Sequence, residues 1–164
     1  MVGGITKTGK AKELIIPKKS TKINLVDKVM EKYKIGSFGS TIVFAVNKNK
    51  VLTFNGLNRT VSGRWETHPS INKKEKSEFV GPGLSNMTMT VELNSALGVK
   101  PREMIDKIEK AAEKGTAEYL IVGGKKICSN KVYIKEISES WDEVMLNGVL
   151  VKATLNLTFD EYGS

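Results

Sequence analysis

The chain has 164 residues, 40% of them hydrophobic and 27% charged, with a formal net charge of +8 and a lone cysteine, Cys128. That length is enough for one domain with a real core and no need of disulfides or metals. One cysteine excludes an intramolecular disulfide framework and a cysteine-based metal cluster, and it fits a reducing compartment. No apolar run approaches the roughly 18 residues of a membrane-spanning helix. The stretch from Met1 to Lys7 lacks the apolar core of a signal peptide, so the protein is expected in the cytoplasm of the cell that makes it.

The charge is unevenly spread. Residues 1–34 carry nine lysines against Glu13, Asp27 and Glu31, a net of +6, whereas residues 35–164 carry 17 basic and 15 acidic residues, a net of +2. The body is nearly balanced and the N-terminal arm is basic. Arginine is confined to Arg59, Arg64 and Arg102. Because arginine is the usual residue for bidentate recognition of bases and phosphates, sequence-specific nucleic-acid readout is poorly supported. Non-specific binding through the lysines remains the rival function, that of a small nucleic-acid-binding β-barrel module.

In chain order, residues 1–37 are expected to form a basic arm and residues 38–164 the body. Lys7 to Thr21 is polar, lysine-rich and interrupted by Pro17, which reads as extended until a partner orders it. Asn24 suits the cap of a short helix whose stripe is Leu25, Val26, Val29, Met30 and Tyr33, with Gly36 as its stop. Three turns of helix are marginal alone, so the stripe needs a surface, either the chain's own body or a neighbouring subunit.

From Ser40 the pattern turns to strands. Thr41 to Val46 is rich in β-formers, and Asn47 to Lys50 turns it into Val51 to Phe54. Arg59 to Glu66 reads as a third strand, followed by a loop through His68, Pro69 and the charged run 72–77. Next, Glu78 to Gly83 reads as a hard, rigid corner built on Gly81, Pro82 and Gly83. After it Met87, Met89, Val91 and Leu93 alternate with Thr88, Thr90 and Glu92, the signature of a half-buried strand.

A single helix interrupts the body. Pro101 suits its first position, Met104, Ile105, Ile108, Ala111 and Ala112 keep helical spacing, and Gly115 ends it. Strands are then expected over Glu118 to Val122 and, after a Gly123-Gly124 turn, over Lys125 to Glu139. Asn147-Gly148 is a strong hairpin signal between Trp141 to Met145 and Val149 to Phe159. The fold class that follows is α+β, mainly β, with one flanking helix.

Candidate chemistry is sparse. His68 is the only histidine; no metal ligands or serine nucleophile can be singled out for it, and a Cys128–His68 dyad is the one pairing left open beside a surface or packing role. Cys128 reads as a small buried hydrophobe. Gly81-Pro82-Gly83 and Gly123-Gly124 lack the helix and the Lys-Ser/Thr of a phosphate-binding loop. Glu136, Glu139, Asp142 and Glu143 could hold a cation or form a solvated face. Trp65 and Trp141 suit core or interface anchors. No catalytic residue, cofactor or metal is expected.

The order of these motifs resembles a known family. Phe38-Gly39-Ser40 leads to Val43-Phe44, Arg64-Trp65 and His68. Glu78 to Gly83 and Met87-Thr88-Met89 come next, then the helix bearing Ile105 and closing on Ala112 to Gly115. Gly123-Gly124, Ile137, Trp141, Asn147-Gly148 and Leu157-Thr158-Phe159 complete the series. Over residues 38–162 this is similar to the tail-formation protein U family of contractile-tailed phages and phage-tail-like bacteriocins. The resemblance implies a non-enzymatic tail subunit with a tail-tube-like β-sandwich or barrel. It further implies a homo-oligomeric ring, usually a hexamer, at the tube–baseplate junction, touching tube, hub or tape-measure proteins. The protein would pass from the producing bacterium's cytoplasm into the tail particle. Leu25, Val29, Met30, Tyr33, Trp65 and Trp141 are then the expected assembly residues. The arm exceeds the family's usual short N-terminus.

Overall fold

The computed structural model describes residues 34–163. The arm stripe of Leu25, Val29, Met30 and Tyr33 lies outside the described residues. Strands β1 (Lys34–Phe38), β2 (Ile42–Val46), β3 (Val51–Leu52), β4 (Phe54–Thr60), β5 (Gly63–His68), β6 (Lys76–Pro82) and β7 (Asn86–Asn94) come first. Helix α1 (Pro101–Glu113) follows, then β8 (Ala117–Glu118), β9 (Leu120–Val122), β10 (Lys125–Lys126), β11 (Val132–Val144) and β12 (Leu150–Glu161). The strands form a sheet ordered β10-β9-β1-β2-β3, a second ordered β4-β7-β12-β11-β8, and the separate hairpin β5-β6.

The two five-stranded sheets face each other across one core. On β7, Met87, Met89, Val91 and Leu93 are buried, and on β12 so are Ala153, Leu155, Leu157 and Phe159. These sets meet because the register places Met87 opposite Phe159, Met89 opposite Leu157 and Val91 opposite Leu155. The other sheet supplies Phe38, Ile42, Phe44 and Leu52. Rings interlock between the layers, with Phe38 and Phe159 at 5.3 Å and Phe44 edge-on to Phe54 at 4.9 Å. Each such fully buried large side chain contributes roughly 1.5–3 kcal/mol. The opposite face of β7 and β12 is polar, where Thr90 bonds Asn156 at 2.8 Å and Asn86 bonds Asp160 at 2.6 Å. The result is α+β, mainly β: a sandwich with one α-helix, and a short 3-10 turn at Ser95–Leu97, among the described residues.

Helix α1 starts with Pro101 at its first turn and buries Pro101, Ile105, Ile108 and Ala111 in the same core. It ends where the Gly115 N–H bonds the Ala112 carbonyl and the Thr116 N–H bonds the Ala111 carbonyl, both at 2.9 Å. That double closure is the Schellman arrangement, and Gly115 sits at its left-handed position.

Several segments differ from their sequence reading. Lys34–Phe38 is a strand, and Gly36 is not a helix stop. Gly36 lies between Phe44 of β2 and Val122 of β9, and a Cβ there would sit 2.5 Å from the Ile121 carbonyl oxygen. Close strand approach, not capping, is what the glycine provides. Arg59 to Glu66 is divided at Val61-Ser62 between β4 and β5. Lys125 to Glu139 is likewise divided, since 127–131 lie outside any strand and carry the buried Cys128.

Candidate assembly surface

Hairpin β5–β6 has no core of its own. Its strand residues are exposed apart from the half-buried Gly81. Trp65 stands opposite Phe79, with ring centroids 5.1 Å apart. Both remain more than half exposed, at 63% and 54%. Val61, Ile71, Val80 and Leu84 add apolar surface nearby. A two-stranded hairpin is marginal in water by itself, and this one displays its facing aromatic pair to solvent. His68 ends β5 and pairs with Glu78 of β6 at 3.3 Å, on the exposed surface.

The hairpin's root is built by the residues read as a corner. Gly81 and Pro82 are in fact the last residues of β6, opposite Arg64 and Gly63, so the bend falls after them. Gly81 has φ +149°, a value side chains rarely adopt. The Gly83 N–H bonds the Ser62 carbonyl at 2.8 Å. A Cβ at Gly83 would meet the Ser62 hydroxyl and lie 2.9 Å from the Ser62 carbonyl oxygen. Gly83 to Ser85 then carries the chain into β7, where Arg59 Nη2 donates to Ser85 Oγ at 3.3 Å.

A second projection is the far end of hairpin β11–β12. Asn147-Gly148 turns it, with the Gly148 N–H on the Met145 carbonyl at 2.8 Å and the Met145 N–H on the Val149 carbonyl at 2.9 Å. Trp141, Val144, Met145, Leu146 and Val149 are all exposed there. Trp141 is capped on one side by the Arg102 guanidinium, 5.3 Å from the ring centroid. Neither tryptophan is therefore a core residue.

The structure does not bring the candidate chemical groups together. Cys128 is buried with its Sγ 3.7 Å from Met87 Sδ, far in character from the exposed His68. Glu136, Glu139, Asp142 and Glu143 are not gathered as metal ligands, and no His/Cys/Asp/Glu group is so arranged among the described residues. Instead Asp142 is held by Thr154 at 2.7 Å and Ser140 at 3.2 Å. Phe79, Leu146 and Val149 are surface residues that the sequence reading did not single out. Phe79 becomes legible only once 69–75 is read as the loop of a hairpin.

Exposed apolar side chains are thus concentrated on two projections of the sandwich, the β5–β6 hairpin and the far end of β11–β12. The chain belongs to the Phage P2 GpU family, which its residues 40–164 match. It is accordingly a phage tail structural protein, of the tail-formation protein U family that the motif order resembles. No curated protein matches the chain. Among solved structures it is similar to a chain from the tail of an empty GTA particle, computed with helical refinement and C6 symmetry. Identity there is 9% and the TM-score 0.43, over 82% of this chain and 93% of that one.

Proposed function

We propose that this protein forms a ring at the tube–baseplate junction of a contractile phage tail or phage-tail-like bacteriocin, without catalytic activity. Six copies are the number the family resemblance implies. The observation that carries this reading is the pair of apolar hairpin surfaces, Trp65–Phe79 and Trp141–Val149, on a body of that family. They differ in sequence and geometry, as head-to-tail contacts that close into a ring require. The sandwich would set the ring's diameter, while the hairpins and the basic arm hold tube, hub or tape-measure proteins above and below. Positive charge on the arm would speed encounter with an acidic surface, and its apolar stripe would supply lasting affinity.

Sedimentation of the full chain, alone and with neighbouring tail proteins, tests this. A discrete closed ring, or incorporation into particles, supports it. A monomer under all conditions that never enters particles overturns it, and salt-dependent oligonucleotide binding by that monomer would favour a nucleic-acid module. Deleting residues 1–33 should leave a folded body that joins particles weakly.

A further inference from the structure

An open slot of about 410 Å³ lies between the start of α1 and the root of the β11–β12 hairpin. It is lined by the buried Val99, Pro101 and Leu150 and by the half-exposed Trp141 and Val149. The cations at its rim are already engaged, Lys100 with Glu103 at 2.7 Å and Arg102 with Asp106 at 3.1 Å. Along α1 the residues Asp106, Glu109 and Glu113 continue the stripe begun by Arg102, because they follow it by four, seven and eleven positions. Arg102 sits over Trp141, so this flank of the helix is the one turned toward β11. Lys107, Lys110 and Lys114 fall on a different flank. On β11, Glu139 shares the strand face of Trp141, opposite Leu155 and Ala153. Glu109, Glu113 and Glu139 form no ion pair among the described residues. An apolar slot thus opens beside an acidic flank.

The segment before Lys34 has the complementary character. Leu25, Val29, Met30 and Tyr33 share one helical stripe in sequence, interspersed with Lys22, Lys28 and Lys32. It also leaves the body at the right end. Lys34 lies opposite Ala45, and the turn that follows β2 packs on Gly98, where a Cβ would collide with the Asn49 carbonyl oxygen. Gly98 adjoins Val99 of the slot. Copies in a ring are related by rotation, so one copy's arm emerges level with the next copy's slot.

We propose that the slot beside Trp141 receives segment 22–33 of a neighbouring copy of this chain. The apolar stripe enters against Val99, Trp141 and Val149, and the lysines meet the acidic flank of α1 and Glu139. This rests on the ring reading above. The test is a full-length Val29→Cys/Val149→Cys variant, oxidised mildly and run without reductant, alongside sedimentation. Cys128 is only 4% exposed and does not compete. A ladder of linked copies is expected, and adding Glu109→Lys and Glu139→Lys should lower its yield several-fold. Rings that form without a ladder overturn this inference and leave the ring reading intact. A crosslink closed within single chains overturns it too, by placing the segment on its own body. Absence of any ring overturns the ring reading and this inference with it.

Discussion

Ser85 and Glu161 bind each other twice. The Ser85 N–H donates to Glu161 Oε2 at 2.9 Å, and the Glu161 N–H donates to the Ser85 carbonyl at 2.9 Å. The short connection that leaves hairpin β5–β6 is thereby sewn to the end of β12. Glu161 is buried, so its carboxylate bond is protected from water. Glu161→Gln keeps the shape and removes the charge, and should lower stability by about 1–2 kcal/mol. Urea unfolding with an unchanged slope measures this, and an unshifted midpoint would mean that the Ser85 contact adds nothing.

Acid should act through the same corner. The Ser85 N–H, outweighing burial, holds the Glu161 carboxyl below its ordinary 4.5. Burial would raise Asp160, but hydrogen bonds from Lys135 and Asn86 hold it below its ordinary 3.8. A carboxyl depressed in the folded state contributes stability that is complete above its unfolded pKa and lost as pH falls through the folded one. The thermal midpoint should therefore decline as pH drops below 4.5, less steeply in Asp160→Asn and Glu161→Gln. Lys135 is raised above 10.5 by its bond to Asp160, so its contribution is whole below that value and lost only in stronger alkali. Identical acid profiles for parent and variants would discount both carboxyls.

Gly81→Val and Gly83→Val should each cost on the order of 1–3 kcal/mol, for different reasons. Gly81 meets backbone strain at φ +149°, and Gly83 meets the Ser62 backbone. Thermal melting followed by circular dichroism reads both. Melting curves that overlay the parent's would show that the hairpin root accepts side chains.

Trp65→Ala removes a large exposed ring. The isolated subunit should lose no more than about 1 kcal/mol, the worth of one cross-strand pair. Assembly should suffer more, by about 2 kcal/mol or upward if the ring is an interface anchor. Comparing the melting temperature with the concentration needed for ring formation separates the two. Equal effects on both would return Trp65 to a purely local role.

His68→Ala and Cys128→Ala should leave assembly intact and reveal no turnover lost. The pair His68–Glu78 is exposed and worth at most about 1 kcal/mol. Cys128→Ala leaves a void of one sulfur beside Met87, costing about 1 kcal/mol. Particle yield is the measurement, and a folded variant that no longer assembles would assign one of these side chains a contact made only in the particle.

Sequence alone was enough where an element carries its own in–out alternation or its own start and stop signals. Met87 to Leu93 alternates because its inner residues meet β12, and Pro101 to Gly115 carries its start, stripe and stop within itself. Asn147-Gly148 needs no distant partner to turn. Lys34 to Phe38 was missed because Gly36 reads as a helix stop, whereas it is the close approach of Ile121, far along the chain, that requires a glycine within this strand. Hairpin β5–β6 was missed as a unit because it is exposed on both faces, leaving no in–out alternation to read. Trp65 and Trp141 could be named from residue type, but whether such rings are buried or displayed depends on what packs over their strands. Phe79 gains meaning only as the residue opposite Trp65.

Strand β12 is hydrogen-bonded to β7 on one side and β11 on the other along most of its length. Ladder bonds run perpendicular to the strands. Tension applied along β12 must then shear both rows together, whereas tension across the sheet would unzip them one bond at a time. A tail is a device that transmits force. The orientation of this strand relative to the load would decide whether the subunit behaves as a rivet or as a fuse.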